Sequence, residues 1–268
     1  LVVVPPGAAV PEVDFNGVLA VVAVENPGAL AAQGFGFPGN LPLAEAWLGK
    51  LATSVELLAG SGEVVRVRGG PAVDEDGPRG MAFVEVCGGT FTMGSDDYDS
   101  ERPPHPVMLD TFWIARTETT EAQYRDDPAG NSLPQASIDW NDSRDFCQGL
   151  SEQDQEYIYD LPTEAQWEYA VRAGTTTQYS FSDDDALLDD HAWHPGNADR
   201  AQPVGQKLPN PLGLYDMHGN VFEWNRDWYG DYPEGFVLEP TGPDDGSARL
   251  LRGGSFLVGG GGGLRSAD

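Results

Sequence analysis

Three kinds of residue in this 268-residue chain have types and spacing suited to chemistry. The segment Gly213–Trp224, GLYDMHGNVFEW, sets Asp216 and Glu223 on either side of a Gly219–Asn220 turn. Two hard carboxylates, with the carbonyls of Gly219 and Val221 between them, form a set that suits Ca²⁺. A tight turn carrying surface acids is the plain alternative. His191 and His194 are spaced to share a metal, but no cysteine stands near them, and Trp193 and Pro195 mark a loop, so a zinc centre is not expected. Cys87 follows a strand pattern, and Cys147 lies between Phe146 and Leu150 on a helical one. Both read as small buried hydrophobes rather than nucleophiles.

Charge narrows the function classes. Acids outnumber bases 43 to 15, a net charge of −28. Phosphate contacts need clustered Lys and Arg, so nucleic acid is not an expected partner, and anionic membrane surfaces are disfavoured for the same reason. No apolar run is long enough to span a bilayer, so no membrane insertion is expected. With 2 cysteines there is no disulfide framework. The opening residues, LVVVPPGAAV, lack a basic leader. These features lean toward a cytoplasmic protein, with surface display still compatible.

The elements that must position these residues fall into two regions. Residues 1–80 carry no recognisable chemistry and read as an accessory segment. In it, Val18–Val24 predicts a strand, the apolar spacing of Leu43–Leu58 predicts a helix, and Glu63–Arg68 predicts a second strand. Residues 69–80, GGPAVDEDGPRG, read as a linker. From Met81 onward, Ala82–Val86 and Thr90–Met93 predict short strands joined at Gly88–Gly89, and Val107–Leu109 with Phe112–Ile114 predict a pair around Asp110–Thr111. The tetrapeptide TEAQ occurs at Thr120–Gln123 and again at Thr163–Gln166. Each is a capping box, in which the Thr hydroxyl accepts from the N3 amide and the Gln side chain reaches back. Helices are therefore expected to open at Thr120 and Thr163, the second ending at Gly174, with a third over Asn141–Leu150. The remainder is rich in Gly, Pro and Asp, which gives an irregular α+β class.

The end of the chain is unusual. Gly259–Gly263 is an unbroken glycine run between the apolar Phe256–Val258 and the ordered-looking Leu264–Arg265. A flexible linker is one reading, but linkers are normally polar on both sides.

Residues 81–268 resemble the formylglycine-generating, sulfatase-modifying family, whose fold is a C-type-lectin-like variant. The matching strings are Gly88–Ser95 (GGTFTMGS), Glu101–Pro106, Thr119–Tyr124 (TTEAQY), Leu161–Tyr169 (LPTEAQWEY), Pro203–Gly205, Asn210–Trp224 and Arg252–Ser255 (RGGS). The resemblance strengthens the expectation of a structural Ca²⁺ held by Asp216, Gly219, Val221 and Glu223. It also implies where catalysis would sit. Catalytic members oxidise a substrate cysteine with two cysteines that follow the GGS motif, and those places fall here at Val258 and Gly263. Without thiolates there is neither a copper site nor thiol chemistry. The related iron-dependent sulfoxide synthases need a His-bearing helical domain, and residues 1–80 contain no His. Enzymatic activity is therefore not expected.

The same C-terminal stretch resembles the variable region of proteins diversified by retroelements, which use lectin-like folds of this family as display scaffolds. There, mutagenesis is directed at adenines, often in AAC codons. From AAC, changes at the two adenines reach Leu, Val, Gly and Asp, the residues at Leu257, Val258, Gly259, Gly260, Gly261, Gly262, Gly263 and Asp268. Leu264–Ala267 resembles the fixed framework between such positions. The resemblance implies a variable region over about 256–268, binding an unidentified protein or surface ligand, and a chain that would continue to a final GFR-type strand. A formylglycine-generating-type oxidase and a non-catalytic regulatory adaptor are the alternatives.

Overall fold

The computed structural model describes residues 55–58, 64–67, 71–154, 156–258 and 263–267. The chain divides into two compact units, Leu1–Ala72 and Val73–Asp268. In the first, β1 (Val55–Leu58) pairs antiparallel with β2 (Val64–Val67), Val55 opposite Val67. The predicted strand at Glu63–Arg68 is thus present. The predicted helix is not helical over its last four residues, which form β1. Val55, Leu57 and Leu58 make a short apolar stretch whose type periodicity cannot assign, and pairing with β2 decides it. The rest of that helix and the strand at Val18–Val24 lie outside the described residues.

The second unit begins earlier than the sequence suggested. Val73–Asp74 (β3) pairs with β4 (Phe83–Val86), so residues within the expected linker belong to a sheet. A four-part hairpin then dominates. β4 pairs antiparallel with β7 (Phe112–Ala115), and β5 (Gly89–Met93) with β6 (His105–Leu109). The register runs on across the break: Val86 faces Phe112 and Gly89 faces Leu109. Sequence reasoning paired β6 with β7 across Asp110–Thr111. Instead both arms of one long hairpin change sheets together, at Gly88 and at Asp110–Thr111. The crossing is close. A Cβ on Gly88 would stand 2.5 Å from the Leu109 carbonyl, and the Gly88 N–H donates to Thr111 Oγ1 at 3.0 Å. Only glycine fits this corner.

Both capping boxes form. Thr120 opens α1 (Glu121–Arg125) and Thr163 opens α3 (Glu164–Arg172), each with the reciprocal Gln contact. Helix α1 is one short turn, ended by Asp126 at φ 54°. Helix α2 spans Trp140–Gln153, with Asp139 as its cap. Helix α3 is buried around most of its circumference. Trp167, Ala170 and Val171 pack with Val84, Val86, Leu214 and Met217 in the main core. A second cluster gathers Met93, Val107, Leu109 and Ala165; a third gathers Tyr179, Leu188, Ala192 and Leu264. A short α4 (Leu188–His191) follows, then β8 (Glu223–Trp228), β9 (Val237–Leu238) and β10 (Arg249–Arg252). β10 pairs antiparallel with β8, placing Arg252 opposite Glu223. The segment between α3 and β8 has little regular structure, so side-chain hydrogen bonds must hold it.

Candidate functional site: a carboxylate turn beside a clamped loop

The turn at 216–223 hangs from fixed points. Asp216 is buried at φ 60° and its Oδ2 accepts from the Gly205 N–H at 2.7 Å. Its Oδ1 is buried and has no hydrogen-bond partner among the described residues. Gly219 sits so close to Trp193 that a Cβ would meet the Trp193 carbonyl at 2.2 Å. Asn220, at φ 68°, donates its N–H to that carbonyl at 2.8 Å. Glu223 is half-buried and accepts from Trp167 Nε1 at 3.2 Å. Val221 is half-buried.

A third carboxylate, which sequence reasoning missed, joins them. Glu118, between β7 and α1, is buried and accepts from Asn220 Nδ2 at 2.6 Å and from the Val221 N–H at 2.9 Å. It lies 102 residues before Asn220, so no local spacing reveals it. Its one sequence cue is its place just ahead of the capping Thr. Burial, then the charges of Asp216 and Glu223, hold the Glu118 carboxyl well above the usual range. Burial pushes Asp216 up to about 6, and burial with the Asp216 charge pushes Glu223 up to about 7. Charge packed this densely calls for protons or a cation. Among the described residues no three His, Cys, Asp or Glu side chains are placed to hold a metal ion together. A cage here would therefore combine the Asp216 and Glu223 carboxylates with backbone carbonyls. The donor set is all oxygen and includes an orphaned buried oxygen, which fits Ca²⁺.

The other histidines and the cysteines are otherwise engaged. His191 stacks on Phe181 at 4.1 Å, and His194 Nε2 bonds to Asp189 Oδ1 at 2.8 Å. His218 is buried: Nε2 accepts from the Ser180 N–H at 3.1 Å, so Nδ1 donates to the Leu264 carbonyl at 2.8 Å. Cys87 and Cys147 are half-buried rather than buried as expected. Cys147 lines an open groove, and burial with the nearby Asp160 charge pushes its thiol up to about 12.

The C-terminal segment is held at both ends. On one side, Arg252 is buried against Glu168 at 2.8 Å, and Gly253, Gly254 and Ser255 are buried after it. On the other, Leu264, Arg265, Ser266 and Ala267 are buried. Leu264 joins the third core cluster, and Arg265 pairs with Asp97 at 2.8 Å and with Glu101. Between them the chain turns outward. Ser255 and Val258 form an isolated bridge, Leu257 is 73% exposed and Val258 42%. The loop closes where it began: a Cβ on Gly254 would meet the Gly263 carbonyl at 2.2 Å. Gly263 is half-buried. Gly259–Gly262 and Asp268 lie outside the described residues. The exposed part borders the groove, of about 980 Å³, whose walls include Trp113, Phe146, Phe222, Trp224, Leu251 and Leu257. The carboxylate turn touches the same segment, since the Asn220 carbonyl accepts from the Phe256 N–H at 2.9 Å.

Residues 71–128 and 125–266 match the family model of the sulfatase-modifying factor enzyme 1-like domain. The chain belongs to this family. Among its relatives, the formylglycine-generating enzyme of Streptomyces coelicolor is 28% identical, over 70% of this chain and 82% of its own length. Among solved structures, Treponema denticola variable protein 1 is similar with a TM-score of 0.63 and 26% identity, covering 70% of this chain and 88% of that one. PvdO from Pseudomonas aeruginosa shares the fold, with a TM-score of 0.66 and 24% identity over 75% of this chain and 92% of its own. The α+β architecture is thus the C-type-lectin-like fold of the sulfatase-modifying family. That family holds formylglycine-generating enzymes, while the likeness to variable protein 1 matches the variable-protein resemblance read in the sequence.

Proposed function

We propose that this chain is a ligand-binding variable protein, diversified by a retroelement, that displays a changeable C-terminal loop on a rigid scaffold and is not an enzyme. One observation carries the reading: the exposed Leu257–Val258 turn lies between two buried stretches, Arg252–Ser255 and Leu264–Ala267. A diversified site must accept Gly, Val, Leu or Asp at one position without unfolding the domain. Exposed positions tolerate this, with stability changes usually below about 0.5 kcal/mol, whereas core positions do not. The family's two thiol positions fall in the same loop, at Val258 and Gly263, which supports binding over oxidation. A glycine-rich loop offers little apolar area, so affinity in this variant must draw on Phe256, Leu257 and the groove wall at Phe222 and Trp224. The net charge of −28 favours a protein or surface ligand over nucleic acid. Ca²⁺ at Asp216, Gly219, Val221 and Glu223 is a structural support for the loop-rich region.

A variant panel tests the reading. Asn, Tyr or Ser placed at Gly259–Gly263 should melt close to the parent and differ in what they bind. Leu264→Ala should destabilise every variant alike. If the glycine substitutions unfold the domain as Leu264→Ala does, the run is a structural necessity and the variable-protein reading fails. Incubation with copper and a cysteine-bearing peptide tests the rival: conversion of the peptide thiol to an aldehyde would restore the oxidase reading.

A further inference from the structure

We infer that Glu118 is a positioning residue that couples cation occupancy of the 216–223 turn to the order of the Phe256–Val258 turn. The inference rests on the calcium reading above and adds a residue and a consequence to it. Glu118 is not among the four calcium ligands proposed above, and both of its oxygens are already in use. Oε1 accepts from the Val221 N–H at 2.9 Å, and Oε2 from Asn220 Nδ2 at 2.6 Å.

The geometry makes a short relay. The Val221 N–H and the Asn220 carbonyl belong to one planar peptide unit, so they turn together. Glu118 holds the N–H end of that unit. The carbonyl end accepts from the Phe256 N–H at 2.9 Å, at the start of the exposed loop. The preceding peptide unit is fixed separately, by the Asn220 N–H on the Trp193 carbonyl at 2.8 Å, and that sets the direction of the Gly219 carbonyl. Glu118 and Trp193 therefore fix the peptide planes on both sides of Asn220, between the two carbonyls of the proposed ligand set. Glu118 stands as a third carboxyl beside Asp216 and Glu223. Without a cation, carboxylate charge at Asp216 and Glu223 repels across a turn whose Asn220–Val221 peptide unit, held by Glu118, bonds to Phe256. With a cation, the repulsion becomes attraction and the unit is locked. Coupling of this kind passes through a contiguous chain of hydrogen bonds, with no gap to bridge.

The test uses the full chain, Ca²⁺ and Tb³⁺ as probes, and amide hydrogen exchange. Tb³⁺ emission is sensitised by a neighbouring indole, and Trp167 bonds to Glu223 directly. In the wild type, Ca²⁺ should quench bound Tb³⁺ and slow exchange of the Val221 and Phe256 amides by about tenfold or more. The amide of Leu109, in the β5–β6 ladder, should change far less and serves as a control for global stability. Glu118→Gln should weaken Ca²⁺ by about tenfold or more and abolish the added protection at Phe256. If the wild type takes up neither ion, the calcium reading fails and takes the relay with it. If Ca²⁺ binds while Phe256 exchange is unchanged, or rises only in step with Leu109, the site stands and the relay is overturned. The same holds if Glu118→Gln binds Ca²⁺ as the wild type does. Should Glu118→Gln fail to fold, the wild-type exchange comparison decides alone.

Discussion

Substituting Asp216 by Asn should reverse its effect on stability according to whether calcium is present. Asp216 is 2% exposed, and burial raises its carboxyl from an ordinary 3.8 to about 6. A raised value means the folded chain holds the proton more tightly than the unfolded chain. The associated stability is fully present below pH 3.8 and is lost as the pH rises through about 6. At about 1.4 kcal/mol per pH unit, the cation-free protein forfeits on the order of 3 kcal/mol at this residue between about pH 4 and pH 7. For a domain of this size that is on the order of 10 °C in Tm. Asp216→Asn removes the charge while retaining an acceptor for the Gly205 N–H. In chelator at pH 7.5 the variant should therefore melt above the wild type. In millimolar Ca²⁺ the order should invert, because a bound cation stabilises the carboxylate and the amide is a poorer ligand. At pH 5 both differences should shrink. The assay is thermal melting of both proteins in chelator and in Ca²⁺ across pH 5–7.5. A variant that melts below the wild type by the same margin in both media would refute the reasoning, as would a wild-type curve in chelator that is flat with pH.

Other outcomes follow from the same contacts. Thr163→Ala removes the hydroxyl that accepts from the Gln166 N–H and should lower stability by about 1 kcal/mol, read from urea unfolding. Leu264→Ala empties a core site and should cost about 2–5 kcal/mol by the same measurement. Arg265→Met removes one partner of a buried ion pair with Glu101 and should cost about 3–5 kcal/mol, read from urea unfolding.

What the sequence disclosed was local. Both helix starts were legible because a capping box is complete within four residues, and α3 also shows its stop, Ala173 at φ 49° followed by Gly174 at φ 83°. The positions of β2 and of β4 to β7 were legible within a residue or two, but the pairing of β4 to β7 was not, and β8, β9 and β10 fell in a stretch read as loop-rich. The long hairpin changes sheets at Gly88 opposite Asp110–Thr111, and only the packing of that corner distinguishes it from two successive hairpins. β3 was hidden in a stretch with a linker's composition, since two residues carry no periodicity. At the site, Asp216 and Glu223 stood out because they share one short motif. Glu118 did not, because its tie to the turn closes a loop of more than a hundred residues.

The way the loop is anchored explains how one fold can tolerate so unusual a segment. A glycine run gives up more backbone entropy on ordering than any other sequence and brings no side chain to offset it. Such a run is sustainable only if its ends are fixed independently of its content. Here the core contact of Leu264 is backed by fixing that is polar and directional. Arg252 is held by Glu168, which also accepts from the Gly94 N–H at 2.8 Å and from Arg172 Nε at 2.9 Å. Arg265 is held by Asp97 and Glu101, and the Leu264 carbonyl by His218 Nδ1. Each of these partners comes from another part of the chain. None of them lies between Val258 and Leu264. An anchor of hydrophobic contacts alone would repack when a neighbouring glycine became Tyr or Leu, because packed cores respond to changes of a single methylene. Charged hydrogen bonds with buried, multiply bonded carboxylates keep their geometry instead. The cost of that geometry is a set of buried charges; in the adjoining turn the proposed Ca²⁺ would offset charge of the same kind. On the variable-protein reading proposed above, this network is what would let the loop sequence change while Arg252–Ser255 and Leu264–Ala267 stay buried.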